Sequence, residues 1–101
     1  MTIYVNEFTS FGKDANGNVT PYPLQPATAF QTLAVTGVSA QTTAFAATTT
    51  VIQVHTDAIC SIVFGTAPTA TTSNARLPAN ETRYFSVPAG SALKIAAILN
   101  T

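Results

Sequence analysis

Three groupings of side chains have types and spacings that chemistry could use. His55 and Asp57 stand two residues apart, so on an extended strand both face one side and a local ion pair of the kind that orients a general base becomes possible. A base also needs a nucleophile within reach, and the spacing ties none to this pair, so the reading is a surface or interface histidine. Cys60 sits in an apolar run with no basic neighbour. Its thiol is therefore expected to keep an ordinary or raised pKa and to pack as a small hydrophobe. Asp14-Ala15-Asn16-Gly17-Asn18 opens like a calcium loop, with oxygen-bearing side chains at alternate positions. The pattern then fails, because Val19 stands where the loop needs its glycine and Gln25 where it needs a bidentate glutamate, and a turn is the better reading. The acidic residues Glu7, Asp14, Asp57 and Glu81 are scattered, and there is no phosphate-cradling glycine loop, nucleophile elbow or His-Glu-x-x-His. No catalytic, cofactor or metal residue is assigned, and the expectation is a protein that is not an enzyme.

Composition points the same way. The chain has 101 residues, one domain's worth, and a domain that small buries too little surface to be very stable alone. A single cysteine precludes an internal disulfide, and one histidine cannot complete a zinc cage with it, which leaves oligomerisation as the expected supplement. Charged residues make up 8% of the chain, against about 25% in an ordinary soluble domain, and the formal net charge is zero. Four Lys and Arg give no electrostatic footprint for nucleic acid or an anionic membrane, whereas weak mutual repulsion suits a subunit of an assembly. No apolar run is long enough to span a bilayer, and the first residues do not read as a secretory signal. The sequon at Asn80-Glu81-Thr82 is accordingly read as chance.

The elements that would hold these residues are strands. Alanine is mixed with threonine, valine and isoleucine, and period-two alternation recurs while no stretch keeps a helical repeat. Residues 1–29 read as an extended arm, punctuated by Pro21, Pro23 and Pro26, with Ile3-Tyr4-Val5 pairing Val19-Thr20-Pro21-Tyr22 around a type I′ turn at Asn16-Gly17. The arm's aromatics, Tyr4, Phe8, Phe11 and Tyr22, would be covered by the domain's flank or a neighbouring subunit and are the candidate partner-binding residues. Residues 30–101 read as the folded domain, with strands at Phe30–Thr36, Thr43–Ala46, Thr50–Thr56, Ile59–Phe64, Glu81–Val87 and Ala92–Leu99. The third and fourth of these look like a hairpin through Asp57-Ala58. The fold class is all-β: an antiparallel β-sandwich or jelly-roll with an extended N-terminal arm.

The stretch from Ala58-Ile59-Cys60-Ser61-Ile62-Val63-Phe64-Gly65, through Pro68-Thr69-Ala70-Thr71-Thr72-Ser73, to Leu77-Pro78-Ala79-Asn80-Glu81-Thr82-Arg83-Tyr84-Phe85 and Val87-Pro88-Ala89-Gly90, resembles small virion proteins of tailed bacteriophages. The resemblance implies a structural capsid cement or decoration protein that binds the outer surface of the major capsid protein, as a homo-oligomer, on virions assembled in the host cytoplasm. It implies no cofactor, nucleic acid or membrane. A neck or minor tail protein is the alternative within that family, and a small carbohydrate-binding module, resting on the aromatic side chains, is the alternative outside it.

Overall fold

In Thr2–Phe8, Ile3 and Val5 alternate with Tyr4 and Asn6, so in that stretch one face of the strand is apolar and the other polar. That strand, β1, is the centre of the molecule. The computed structural model describes all 101 residues and contains ten strands and no helix. A front sheet has the order β4 (Ala29–Ala34), β1, β6 (Val51–Thr56), β9 (Glu81–Ser86), and a back sheet the order β5 (Ala40–Gln41), β10 (Lys94–Leu99), β7 (Cys60–Gly65), β8 (Ala75–Leu77). All pairings within the sheets are antiparallel. The remaining strands, β2 (Phe11–Lys13) and β3 (Val19–Pro23), form a separate two-stranded hairpin. The protein is an antiparallel β-sandwich.

The core lies where the inner faces meet. Ile3, Val5, Ile52 and Val54 of the front sheet pack with Cys60, Ile62, Leu77, Ile95 and Ala97 of the back sheet, and Val35, Phe45 and Val87 close the ends. Phe64 and Phe85 meet across the gap with ring centroids 5.2 Å apart and tilted by 59°, a favourable arrangement for two aromatic quadrupoles. Leu93, just before β10, and Ile95, Ala97 and Leu99 on it pack on the core side, and Cys60 is fully buried as a core residue.

The extended arm is a misreading of the first 29 residues. Residues 2–8 are hydrogen-bonded to β4 on one side and β6 on the other, with Val5 opposite both Gln31 and Val54. Ile3 and Val5 are completely buried. The prolines that suggested an arm all lie beyond Val19, on the hairpin and the link to β4, where a missing N–H costs no ladder bond of the main sheets. The boundary at residue 30 therefore does not divide arm from domain. Of the ten strands, only β2 and β3 lie outside the two sheets.

Two further expectations are corrected. β6 and β7 are not a hairpin but belong to opposite sheets. The chain crosses between them at Asp57–Ile59, where Thr56 Oγ1 donates to Ala58 O at 2.7 Å and accepts from Ala58 N at 3.2 Å. A buried threonine thus satisfies the backbone of the crossing itself. Thr43–Ala46 is not a strand, although Phe45 N donates to Leu93 O and its side chain enters the core. The strand in that region is the two-residue β5, and the short β8 carries too little alternation to be visible beforehand.

Glu7 fixes β1 to the rest of the fold. It is only 4% exposed, and its Oε1 accepts from Ala46 N at 2.9 Å and from Thr49 Oγ1 at 2.7 Å. Its carbonyl accepts from Thr28 N at 2.8 Å. One residue therefore ties the strand to the segments leading into both β4 and β6. Glu7→Ala removes the acceptor that the Thr49 hydroxyl and Ala46 amide share, so the expected loss is about 1–3 kcal/mol, seen as a Tm lower by roughly 5–15 °C in a calorimetric scan. Glu7→Gln, which keeps an acceptor oxygen, should lose less. Deleting residues 1–8 should abolish the cooperative melt altogether.

Candidate functional site

The four aromatics expected to bind a partner occupy four different environments. Phe8 is 1% exposed and is structural, which corrects its assignment as a binding residue. It pairs with Val51 at the end of the front sheet nearest the hairpin. Phe11, on β2, is half-buried and lines a groove of about 530 Å³ between the hairpin and that end of the sheet, together with Lys13, Val19, Val51 and Val87. Tyr22 is 71% exposed on β3, and with Val19 and Leu24 it gives the hairpin an apolar surface open to solvent. Tyr4 lies elsewhere, on the outer face of the front sheet.

The hairpin is built locally. Its Asn-Gly turn exists, but β3 pairs with β2 rather than with residues 3–5. Gly17 has φ +82° while Asn16 does not take a positive φ, so the turn is not type I′. It is a three-residue loop in which Gly17 N donates to Asp14 O and Asp14 N donates to Asn18 O, with glycine at the left-handed position. The Asp14 carboxylate caps it: Oδ1 accepts from Asn16 N and from Asn18 N, each at 2.9 Å. These oxygens serve the backbone, as the turn reading expects. At the base, Leu24 N donates to Ser10 O, and Thr50 Oγ1 donates to Thr9 O at 2.6 Å, anchoring the hairpin to the sandwich.

His55, Asp57 and Cys60 are kept apart. His55 Nδ1 lies 2.9 Å from Thr82 Oγ1 on the outer face, while Asp57 Oδ1 accepts the Thr2 amide at 2.6 Å. The two do not pair with each other. Cys60 faces the core, where burial holds its thiol above the ordinary range. Arg83 and Glu81 form an exposed ion pair on β9, of a kind that contributes little to stability.

The outer face of the front sheet also holds residues that sequence reasoning passed over. Direct pairing across all four strands aligns Phe30, Asn6, Gln53 and Tyr84 in one row, and Thr32, Tyr4, His55 and Thr82 in the next. Asn6 Nδ2 donates to Gln53 Oε1 at 2.9 Å, and Gln53 Nε2 donates to Tyr84 Oη at 2.9 Å. The Tyr4 and His55 rings are 6.2 Å apart. No Asp, Glu, Lys or Arg stands at any of these positions. The period-two pattern was the signal available for this face, but only the strand order reveals which polar rows adjoin.

Comparison with protein-family models, with curated proteins and with solved structures finds no match to this chain.

The capping of the hairpin turn predicts its response to acid. The amides of Asn18 and Asn16 stabilise the ionised carboxylate and so lower the Asp14 pKa from 3.8. Because the folded-state value is depressed, the stabilisation is complete above the unfolded value and is lost as pH falls through the folded one. Amide chemical shifts and hydrogen exchange at Asn16 and Asn18, followed from about pH 5 to about pH 2, should report loosening of the turn while β1 and β6 stay protected. Asp14→Asn should remove that pH dependence.

Proposed function

We propose that this protein is a non-catalytic structural subunit that attaches to the outer surface of a tailed-phage capsid, stabilising contacts between major capsid subunits. The observation that carries the reading is the hairpin. It projects from a sandwich that is complete without it, and it presents Val19, Tyr22 and Leu24, exposed by 67%, 71% and 49%. Apolar side chains held on a two-stranded projection suit docking into a groove between neighbouring subunits. The molecule's extents of 47 × 26 × 20 Å give it the reach to touch more than one of them.

Charge supports the same reading. The four cations, Lys13, Arg76, Arg83 and Lys94, lie on four different strands, and Arg83 is paired with Glu81, which suits a partner other than nucleic acid. A cement protein needs contacts rather than turnover, and attachment to the assembled lattice alone raises the cost of separating capsomers by mass action. Several copies around one capsomer, the homo-oligomeric arrangement, would multiply weak individual contacts. The resemblance of the C-terminal half to small virion proteins adds the phage context, and a place in the neck or tail is the alternative within it.

The Ser10–Leu24 hydrogen bond brings the hairpin's two ends together, so residues 11–23 can be replaced by a short glycine turn without stretching the sandwich. The excised protein is expected to keep a cooperative melt and lose occupancy on stripped capsids. In the full chain, Tyr22→Ala with Leu24→Ala should weaken attachment by roughly 10- to 100-fold if each side chain loses about half of the 1.5–3 kcal/mol of a buried apolar group. Binding to purified tails but not to heads would favour the neck or tail reading. Undiminished occupancy after excision would refute attachment through the hairpin.

A further inference from the structure

The two outer faces of the sandwich are treated differently by the chain. Across the back sheet, the 66–74 segment folds over the outward-facing residues. Asn100 Nδ2 donates both to Ser61 Oγ at 2.8 Å and to Thr72 O at 3.1 Å, Ala70 N donates to Ser39 Oγ at 2.8 Å, and Ser61 and Ala96 of the sheet are fully buried, with Ala70 of the segment itself buried too. The two central rows of the front sheet's outer face stay open, with Tyr4 46% exposed on β1 and Phe30 78% and Tyr84 50% exposed on the edge strands β4 and β9.

We infer that this open face binds a neutral saccharide chain, contacted by Tyr4, Asn6, Phe30, Gln53, His55 and Tyr84. A pyranose ring has an apolar face of C–H groups and an edge of hydroxyls that both donate and accept hydrogen bonds. The front face offers the complement of each. Its aromatic rings supply apolar surface with a polar tip on the two tyrosines. Its amides supply donors and acceptors already fixed by the chain of bonds from Asn6 through Gln53 to Tyr84. Each amide keeps unused capacity: Gln53 a second N–H, Asn6 its carbonyl oxygen, and Tyr84 its hydroxyl proton. Because these groups are ordered before binding, less conformational entropy is lost when a ligand arrives.

Charge selects the occupant. With no Asp, Glu, Lys or Arg in either row, the face has no cation to neutralise phosphate or sulfate and no anion for a basic partner. The amides of Asn6 and Gln53 lie between Phe30 and Tyr84 in one row, and the rings of Tyr4 and His55 lie between Thr32 and Thr82 in the next, so ring surface and hydrogen-bonding groups adjoin across the sheet as the C–H faces and hydroxyl edges of a neutral oligosaccharide do. The inference is independent of attachment through the hairpin, since neither row includes a hairpin residue.

The test is a titration of the full chain with cellohexaose, maltohexaose, mannohexaose and xylohexaose, with a sulfated heparin hexasaccharide as the charged control, read by amide and side-chain chemical shifts. At least one neutral hexamer should saturate with a Kd of about 1 mM or tighter and shift Asn6, Gln53 and His55. Tyr84→Ala and Gln53→Ala should each weaken that binding by about tenfold with the melt unchanged, while Tyr22→Ala should leave it intact. The proposal is overturned if no neutral hexamer saturates, if only the sulfated control binds, or if the shifts map to the hairpin or back sheet. Binding that survives both front-face substitutions would overturn it too, as would a concentration-dependent dimer that buries Tyr84.

Discussion

The pairing of β1 on both its edges is the constraint from which the rest of the structure follows. A central strand must have both rows of N–H and C=O groups satisfied, and here the partners come from residues 29–34 on one side and 51–56 on the other. Its side-chain period then assigns roles at a stroke. Ile3 and Val5 must enter the sandwich, which places Ile52 and Val54 beside them, while Tyr4 and Asn6 must face outward, which creates the polar rows. A one-residue slip of register would exchange these sets and leave the Glu7 carboxylate without Thr49. No buried side-chain nitrogen or oxygen in the protein lacks a partner, so the register observed satisfies the polar groups as well as the apolar ones.

Local pattern made most of the strands legible. Those near Phe30, Val51, Cys60, Glu81 and Lys94 were expected within a few residues of their observed bounds because β-branched alternation and turn residues are encoded side by side. What local pattern could not supply was which sheet each strand joins. Asp57-Ala58 reads as a hairpin turn by composition, yet the chain uses it to cross the sandwich, and the deciding contacts, Asp57 with Thr2 and Asn80 with Thr56, come from distant parts of the sequence. The error over residues 1–29 has the same origin. Prolines clustered between residues 21 and 26 coloured the reading of a strand that ends at Phe8.

The candidate surfaces were legible to different degrees. Tyr22, one of the four aromatics placed on an arm outside the core, is exposed on the hairpin. Phe8 was identified by the same reasoning and is buried, because aromatic character alone does not distinguish a contact residue from a core residue. Gln53 and Asn6 carry no signal in isolation, since amides on strands are ordinary surface residues. They form a continuous ladder only because β1, β6 and β9 lie side by side, an adjacency set by the core rather than by anything near residues 6, 53 or 84.

The direction of β1 has one more effect, on where the ends of the chain emerge. Thr2 is bonded to Asp57, and Asn100 N donates to Ile59 O, so both termini leave the sandwich beside the same crossing between sheets. The hairpin follows Phe8 at the other end of β1. The molecule is therefore polarised along its length, with the hairpin at one pole and residues 2 and 100 at the opposite one. A peptide or folded cargo attached beside either of those residues would be held on the far side of the sandwich from the hairpin, in a defined orientation.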